Sequence, residues 1–406
     1  MTESWQIKKL KDIGVVQTGT TPSTRDKDNY GDYIPFIKPA HFKPNGEIES
    51  GDSMLSEKGL NSGRHFEANS VLMVCIGATI GKTGFSTVDF SSNQQINILT
   101  PSEDCDYKYL YYAMISPSFQ DKVLKSGKSS QATLPIINKS KWQNLELPIP
   151  PLSEQKLIVE VLDQTFEAID QAKTNIERNI ENASELFKSK LHEIFGQRGE
   201  GWEEQTLGEM GTLTSSKRIF KKEYVQEGIP FYRSKEVKEL AHDKEISLEL
   251  FITRNRYDEI KSKYGVPKEG DILLTAVGTI GEMYVVKKND QEFYFKDGNI
   301  MWLKDFTGLN TYYLKYALMS FVEQLKSMSQ GSAYKALTIE KLKKYKISVP
   351  DIISQNQIVE QIESLQLYQR RIIRIYEQKL VSINDLKKSI LQKAFAGELI
   401  GKEVEV

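Results

Sequence analysis

The stretch Gly77–Gly84, GATIGKTG, is the part of the chain nearest to a phosphate-binding loop. A Walker loop needs Gly, four residues, then Gly-Lys-Ser/Thr, so that successive backbone N–H groups wrap the phosphates. Gly81-Lys82-Thr83 supplies the end, but the position that should hold the first glycine is Ile76, and Gly77 is one step too close. Other chemistry is as thin. The histidines are His41, His65, His192 and His242, the cysteines Cys75 and Cys105, and no two have the close pairing of zinc ligands. An adenine methyltransferase that flips its base would carry Asn/Asp-Pro-Pro-Tyr/Phe; the Pro-Pro here is Pro150-Pro151, in IPPL. No HExxH and no Ser/His/Asp triad emerges. No catalytic residue, no metal site and no cofactor site is expected in this chain.

The bulk numbers limit the alternatives. Across 406 residues, 54 Lys and Arg face 55 Asp and Glu, so any basic surface must be local. Unpaired cysteines suit a reducing compartment. The start, MTESWQIKKL, has no apolar signal region, and no apolar run reaches the ~18 residues that span a bilayer. These features predict a soluble cytoplasmic protein with no membrane partner.

The elements that would position any site are written twice. ATIGK at 78–82 returns as GTIGE at 278–282, VLMV at 71–74 as DILL at 271–274, and YAMIS at 112–116 as YALMS at 316–320. LELPIP at 145–150 matches YKISVP at 345–350, QKLIVE at 155–160 matches QNQIVE at 355–360, and LFKSKLHEIFG at 186–196 matches LKKSILQKAFAG at 386–397. Trp5 and Trp202 open the halves. The repeat settles the opening loop: Glu282 stands where Lys82 stood, and a glutamate repels phosphate. The stretch reads as a strand ending in a tight glycine turn into the next strand.

Each half divides again. Its first ~150 residues alternate short β-rich runs such as YIPFIK, SVLMVCI and QINILTP with Gly, Pro, Asn and Ser punctuation, and add a helix at 107–116 or 311–320. Its tail differs: from Ser153 to Phe195 there is neither proline nor glycine. Ile158, Leu162, Ile169, Ile176, Ile180, Phe187, Leu191 and Ile194 recur at helical spacing, as do Ile358, Ile362, Leu365, Ile372, Tyr376, Leu380, Ile383 and Ile390. Ser153 is the expected N-cap, and Gly196 and Gly397 the expected stops. The predicted class is α+β. Two mixed α/β domains at 1–150 and 199–350 are separated by an antiparallel pair of coiled-coil helices at 151–198 and 351–406, with an internal pseudo-twofold repeat. A helix of this length spans ~65 Å, so the pair would act as a rod with one domain at each end.

Two similar modules at fixed spacing have the logic of a dimeric DNA reader, whose half-sites lie ~34 Å apart or at multiples of that. The tails and strand–turn cores agree, while 20–65 and 212–265 hardly align, so the contacts are expected in those variable stretches. They mix Lys and Arg, which hold phosphates, with Ser, Thr, Tyr and Phe; between Met210 and Gly265 stand 12 basic and nine acidic residues. The DNA-contact candidates are Thr20, Thr21, Ser23, Thr24, Arg25, Lys38 and His41 in the first domain, with Lys82 at the turn. In the second they are Ser215, Lys217, Arg218, Arg233, Ser234 and Lys235.

At this point the chain resembles a specificity (S) subunit of a type I restriction–modification system. The likeness rests on GTTPS (19–23), IPFIK (34–38) with IPFYRS (229–234), and GATIGK with GTIGE. It rests also on LPIPPLSEQKLIVEVLD (147–163) with ISVPDIISQNQIVEQIE (347–363), and on LQKAFAGEL (391–399). It covers essentially the whole chain. The resemblance implies that each domain reads one half of a split double-stranded DNA site, and that the helices set the gap. It implies two methylation subunits that bind S-adenosylmethionine and modify adenine, and two ATP-driven, magnesium-dependent restriction subunits. It implies no catalysis in this chain. Two other readings stay open: a self-contained methyltransferase or nuclease, and a coiled-coil scaffold joining two protein-binding modules.

Overall fold

The computed structural model describes residues 5–127, 135–197, 199, 201–322, 326 and 337–399. By contacts the chain forms two compact units, Met1–Glu177 with Glu377–Val406, and Arg178–Tyr376, so each takes half of each long helix. The class is α+β: two mixed domains, each followed by a helix of 45 residues, Leu152–Gly196 and Ile352–Ala396.

In the first unit an antiparallel four-stranded sheet runs in the order Gly14–Thr18, Ile96–Pro101, Ser70–Val74, Thr83–Ser86. Ser70–Val74 is buried along its whole length, as a continuous apolar run in a sheet covered on both faces must be. Its period of two splits the core. Val71 and Met73 join Tyr109, Leu110 and Phe119 of the helices, while Leu72 and Val74 join Phe42, Phe66 and Phe90 on the opposite face. A second sheet pairs Tyr30–Ile37 antiparallel with Met54–Leu55 and parallel with Ser91–Ser92. The second unit repeats this plan. Its sheet order is Thr212–Thr214, Ile300–Lys304, Ile272–Thr275, Met283–Val285, and Ile229–Tyr232 runs parallel to Tyr294–Phe295.

One buried amide joins each domain to its long helix. Gln155 Oε1 accepts from Asp106 N at 2.8 Å, and Nε2 donates to Pro150 O at 2.8 Å and Asp104 O at 3.1 Å. Gln355 does the same with Asn310 N at 2.7 Å, Pro350 O at 2.8 Å and Gly308 O at 3.1 Å. Asp106 and Asn310 cap the helices Tyr107–Ile115 and Thr311–Ser320. Tyr109 and Tyr313 then reach back to Pro148 O at 2.7 Å and Ser348 O at 2.6 Å.

The apolar stripe of the long helices is buried where it meets partners. In the first unit Phe166 and Ile169 share a cluster with Leu391, Ala394 and Phe395, and Asp170 meets Lys387 at 3.6 Å. In the second, Phe187, Leu191 and Phe195 cluster with Val359 and Ile362. The N-terminal part of one helix thus lies by the C-terminal part of the other, as in an antiparallel seam. Two details differ from expectation. The first helix begins at Leu152, so Ser153 lies inside its first turn and Pro151 takes the cap position, its carbonyl accepting from Gln155 N at 3.0 Å. Proline's fixed φ suits that entry. Asp351 is the side-chain cap of the second helix, accepting from Ile353 N at 2.9 Å and Ser354 N at 3.0 Å. Ile372, expected in the seam, is 43% exposed, and Leu367, Tyr368 and Ile375 on the same stretch of helix are exposed with it.

Candidate nucleic-acid interface

Three segments distant in sequence meet at one edge of the first domain. The strand Gly14–Thr18 runs into the loop at 19–25, which is stitched to the turn after Ser91–Ser92 by Thr20 N to Ser92 O at 2.8 Å and Gly19 N to Ile96 O at 3.0 Å. A Cβ at Gly19 would overlap Ser92 Oγ and Asn93 O, which explains glycine there. The same turn is tied to the end of Tyr30–Ile37 by Asn93 N to Ile37 O at 3.1 Å. Lys38 and His41 follow at once: Lys38 N donates to His41 Nδ1 at 3.2 Å, and the Lys82 ammonium sits 5.9 Å over the ring of Phe42. The fold therefore gathers Thr20, Thr21, Lys38, His41 and Lys82. Ser23, Thr24 and Arg25 continue the loop with exposed side chains. Its carbonyls are occupied, Pro22 O by Tyr30 Oη at 3.1 Å and Ser23 O by Asn29 Nδ2 at 3.0 Å.

The second domain gathers the matching segments. Ser215 Oγ donates to Ile300 O at 3.1 Å and accepts from Gly298 N at 3.2 Å. Lys217 N donates to Tyr294 Oη at 2.6 Å, and its ammonium lies 5.1 Å over Tyr264. Lys296 N donates to Tyr232 O at 2.9 Å, beside Arg233, Ser234 and Lys235 at the start of the helix Ser234–Ala241.

The electrostatics of the two edges differ. Among the described residues, Arg25, Lys38 and Lys82 have no carboxylate partner; Lys38 only approaches the Phe36 ring, at 5.5 Å. Burial and the Lys38 charge hold the His41 pKa below the ordinary histidine value, which favours a neutral ring. In the second domain three of the named cations are engaged. Arg218 Nε donates to Asp297 at 2.7 Å and Lys235 to Glu249 at 3.0 Å. Arg233 bonds Glu236, which is 3% exposed, at 2.6 Å and Glu249 at 2.8 Å. The bond to Glu236 raises the Arg233 pKa. Arg233 is thus a clamp between a helix start and a loop, and among the described residues Lys217 is the named cation without a carboxylate partner.

Two side chains at the first edge were not singled out from sequence. Arg64 Nη1 donates to Thr18 O at 2.6 Å, which turns an exposed guanidinium across the mouth of the 19–25 loop. Gln94, also exposed, accepts from Thr21 Oγ1. Both come from outside the Thr-rich segment, and only the strand pairing brings them to it. No linear spacing signals that.

The GATIGKTG stretch is a turn between Ser70–Val74 and Thr83–Ser86, with Gly77 at φ 95° and Gly81 at φ 87°. Its N–H groups are used by the chain, Gly77 N with Pro135 O at 3.1 Å and Gly81 N with Val74 O at 2.9 Å. This is a strand connection, and not a phosphate cradle. Among the described residues no group of His, Cys, Asp and Glu has a metal-holding arrangement, and no helix is long and apolar enough to cross a membrane.

The family model described as type I restriction modification DNA specificity domain matches residues 2–182 and again 199–384. The chain belongs to this family of type I restriction–modification specificity subunits. A Methanocaldococcus jannaschii type I restriction enzyme specificity subunit is 27% identical over 99% of this chain and 95% of its own length. A putative type I specificity subunit of Haemophilus influenzae is 31% identical over 66% of this chain and 67% of its own. A solved chain from work on assembly and conformational transition of the type I restriction–modification system superposes with a TM-score of 0.77 at 17% identity, covering 98% of this chain and 99% of that one. The HsdS subunit of Thermoanaerobacter tengcongensis gives 0.60 at 18%, covering 98% of each. At those identities the likeness to solved specificity subunits speaks for the fold.

Proposed function

We propose that this specificity subunit reads an asymmetric, two-part site in double-stranded DNA, with one domain for each half and the long helices setting the gap. It docks two methylation subunits, which carry S-adenosylmethionine, and two restriction subunits, which use ATP and magnesium. The chain itself performs no catalysis and works in the cytoplasm. The observation that carries the reading is the repeated edge. In both domains the same three segments converge on one scaffold, yet the side chains they present are unrelated, as two readers of different sequences require. In the first domain Lys38, Lys82 and Arg25 serve phosphates, and Thr20, Thr21, Ser23, Thr24 and His41 lie among them as readers of base edges. In the second, Lys217 and Arg218 serve phosphates, Ser215 and Ser234 line the edge, and Arg233 and Lys235 hold its shape.

The test is to purify the chain with a methylation subunit and map methylated adenines across a genome. The expected result is a split motif with two unlike halves and a fixed gap. Activity of the chain alone, with S-adenosylmethionine bound to it, would instead make it a self-contained enzyme. Absence of salt-dependent duplex binding with partners present would make it a scaffold.

A further inference from the structure

In the second unit a cleft of about 390 Å³ opens between the helix Thr311–Ser320, the strand Met283–Val285 and the stretch Glu363–Arg370. A neighbouring cleft of about 510 Å³ shares Ala241, Lys315, Gln366 and Arg370 with it, so Lys315 lies where the two meet. Among the described residues its ammonium makes no hydrogen bond and no ion pair; its recorded neighbour is the Tyr316 ring at 5.9 Å. Two carboxylates line the cleft: Asp243 is taken by Lys287 at 3.1 Å and Arg370 at 3.0 Å, and Glu363 makes no ion pair with Lys315, so three cations face two carboxylates. Burial pushes the Lys315 pKa down, with the charges of Arg370 and Lys287, and those of Asp243 and Glu363 partly offset it. A secluded cation without an acceptor is costly, and an entering anion relieves that cost.

The first domain supplies an internal control. Its matching cleft, about 620 Å³, is lined by Glu47, Asp163, Glu167 and Asp170. There Lys108 and Tyr112 both bond Asp163, at 2.7 and 2.5 Å, and Lys387 meets Asp170 at 3.6 Å. Buried Tyr111 stands where the repeat places Lys315. The repeat sets Glu363 where Asp163 stands, and it has exchanged a cleft with four carboxylates and two lysines for one with three cations and two carboxylates.

We propose that the Lys315 cleft binds a phosphate group. Lys315 Nζ supplies the charge. The Gln366 amide N–H, the Tyr312 hydroxyl and the N–H groups of Arg370 not spent on Asp243 line the same cleft as further donors, and a phosphate accepts from several at once. The site does not depend on the DNA-reading proposal.

The experiment titrates the full chain with inorganic phosphate at constant ionic strength, followed by calorimetry and thermal unfolding. Phosphate is expected to raise the Tm of the wild type, and Lys315→Met to weaken binding about tenfold. Lys108→Met, in the first domain, is expected to leave phosphate binding unchanged. Circular dichroism checks the fold of Lys315→Met; if that variant loses native signal, Arg370→Gln, on an exposed side chain, reads the same cleft. If free phosphate has no effect but Lys315→Met or Arg370→Gln lowers the salt slope of duplex binding by about one, the phosphate comes from a nucleic-acid backbone, and the proposal stands. Wild-type behaviour of both variants in both assays, or equal loss in Lys108→Met, overturns it.

Discussion

The two recognition edges share a scaffold and differ in what their charges do. Among the described residues Arg25, Lys38 and Lys82 of the first domain stand without carboxylate partners, two of them resting over aromatic rings. In the second, Arg218, Arg233 and Lys235 are bound to Asp297, Glu236 and Glu249. A free exposed cation adds little to stability and is available to a phosphate. Arg233, which holds the buried Glu236, belongs to the fold, and removing it leaves that carboxylate with a desolvation cost, whereas Arg218 and Lys235 are exposed partners whose pairs are worth little to stability. Basic residues in equivalent segments are therefore not equivalent contacts.

The strongest probe tests what the domains have in common. Gln155→Leu and Gln355→Leu each strand one N–H and two carbonyls at the joint, and each is expected to cost about 3 kcal/mol in urea unfolding. A large inequality between them would break the symmetry claimed for the joints. Next comes the contrast itself. Arg233→Ala is expected to lose about 2 kcal/mol of stability, because Glu236 stays buried without its partner. Lys38→Ala and Lys82→Ala should change stability by no more than about 0.5 kcal/mol, while each lowers the salt slope of duplex binding by about one. Unpairing sharpens the comparison further: Asp297→Asn frees Arg218, and duplex affinity at low salt should rise about threefold.

The smallest effect is pH. The folded pKa of His41 lies below its ordinary value of 6.5. Between the two values the unfolded chain binds more protons, so stability is full above the ordinary value and declines as pH falls through the folded one. Urea midpoints taken at about pH 7.5 and about pH 5.5 should differ less in His41→Gln than in the wild type.

How much of this the residues announced depends on the range of the interaction. Gly77 and Gly81 declared a turn because positive φ is a local demand, which the repeat meets again at Gly281 and, one residue along from Gly77, at Gly278. The long helices followed from periodicity without breakers. Pro151 in place of Ser153 at the cap was hidden, since both residues suit a helix entry. Gln155 was hidden because a polar residue in an amphipathic pattern reads as solvent-facing, and only its bonds to residues about fifty positions away show it to be buried. The site was the least legible part. Arg218 lies 79 residues from Asp297, and Thr21 lies 73 from Gln94, so neither neutralisation nor convergence leaves a mark in a linear window.

The twin glutamine joints carry a consequence for inheritance. Each glutamine bonds only backbone atoms of its domain, so this contact does not depend on the side chains of the recognition edge. A foreign module with a capped helix and a returning tyrosine would plug into the same socket. By that geometry one edge could be replaced by another while the joint that holds it stays untouched.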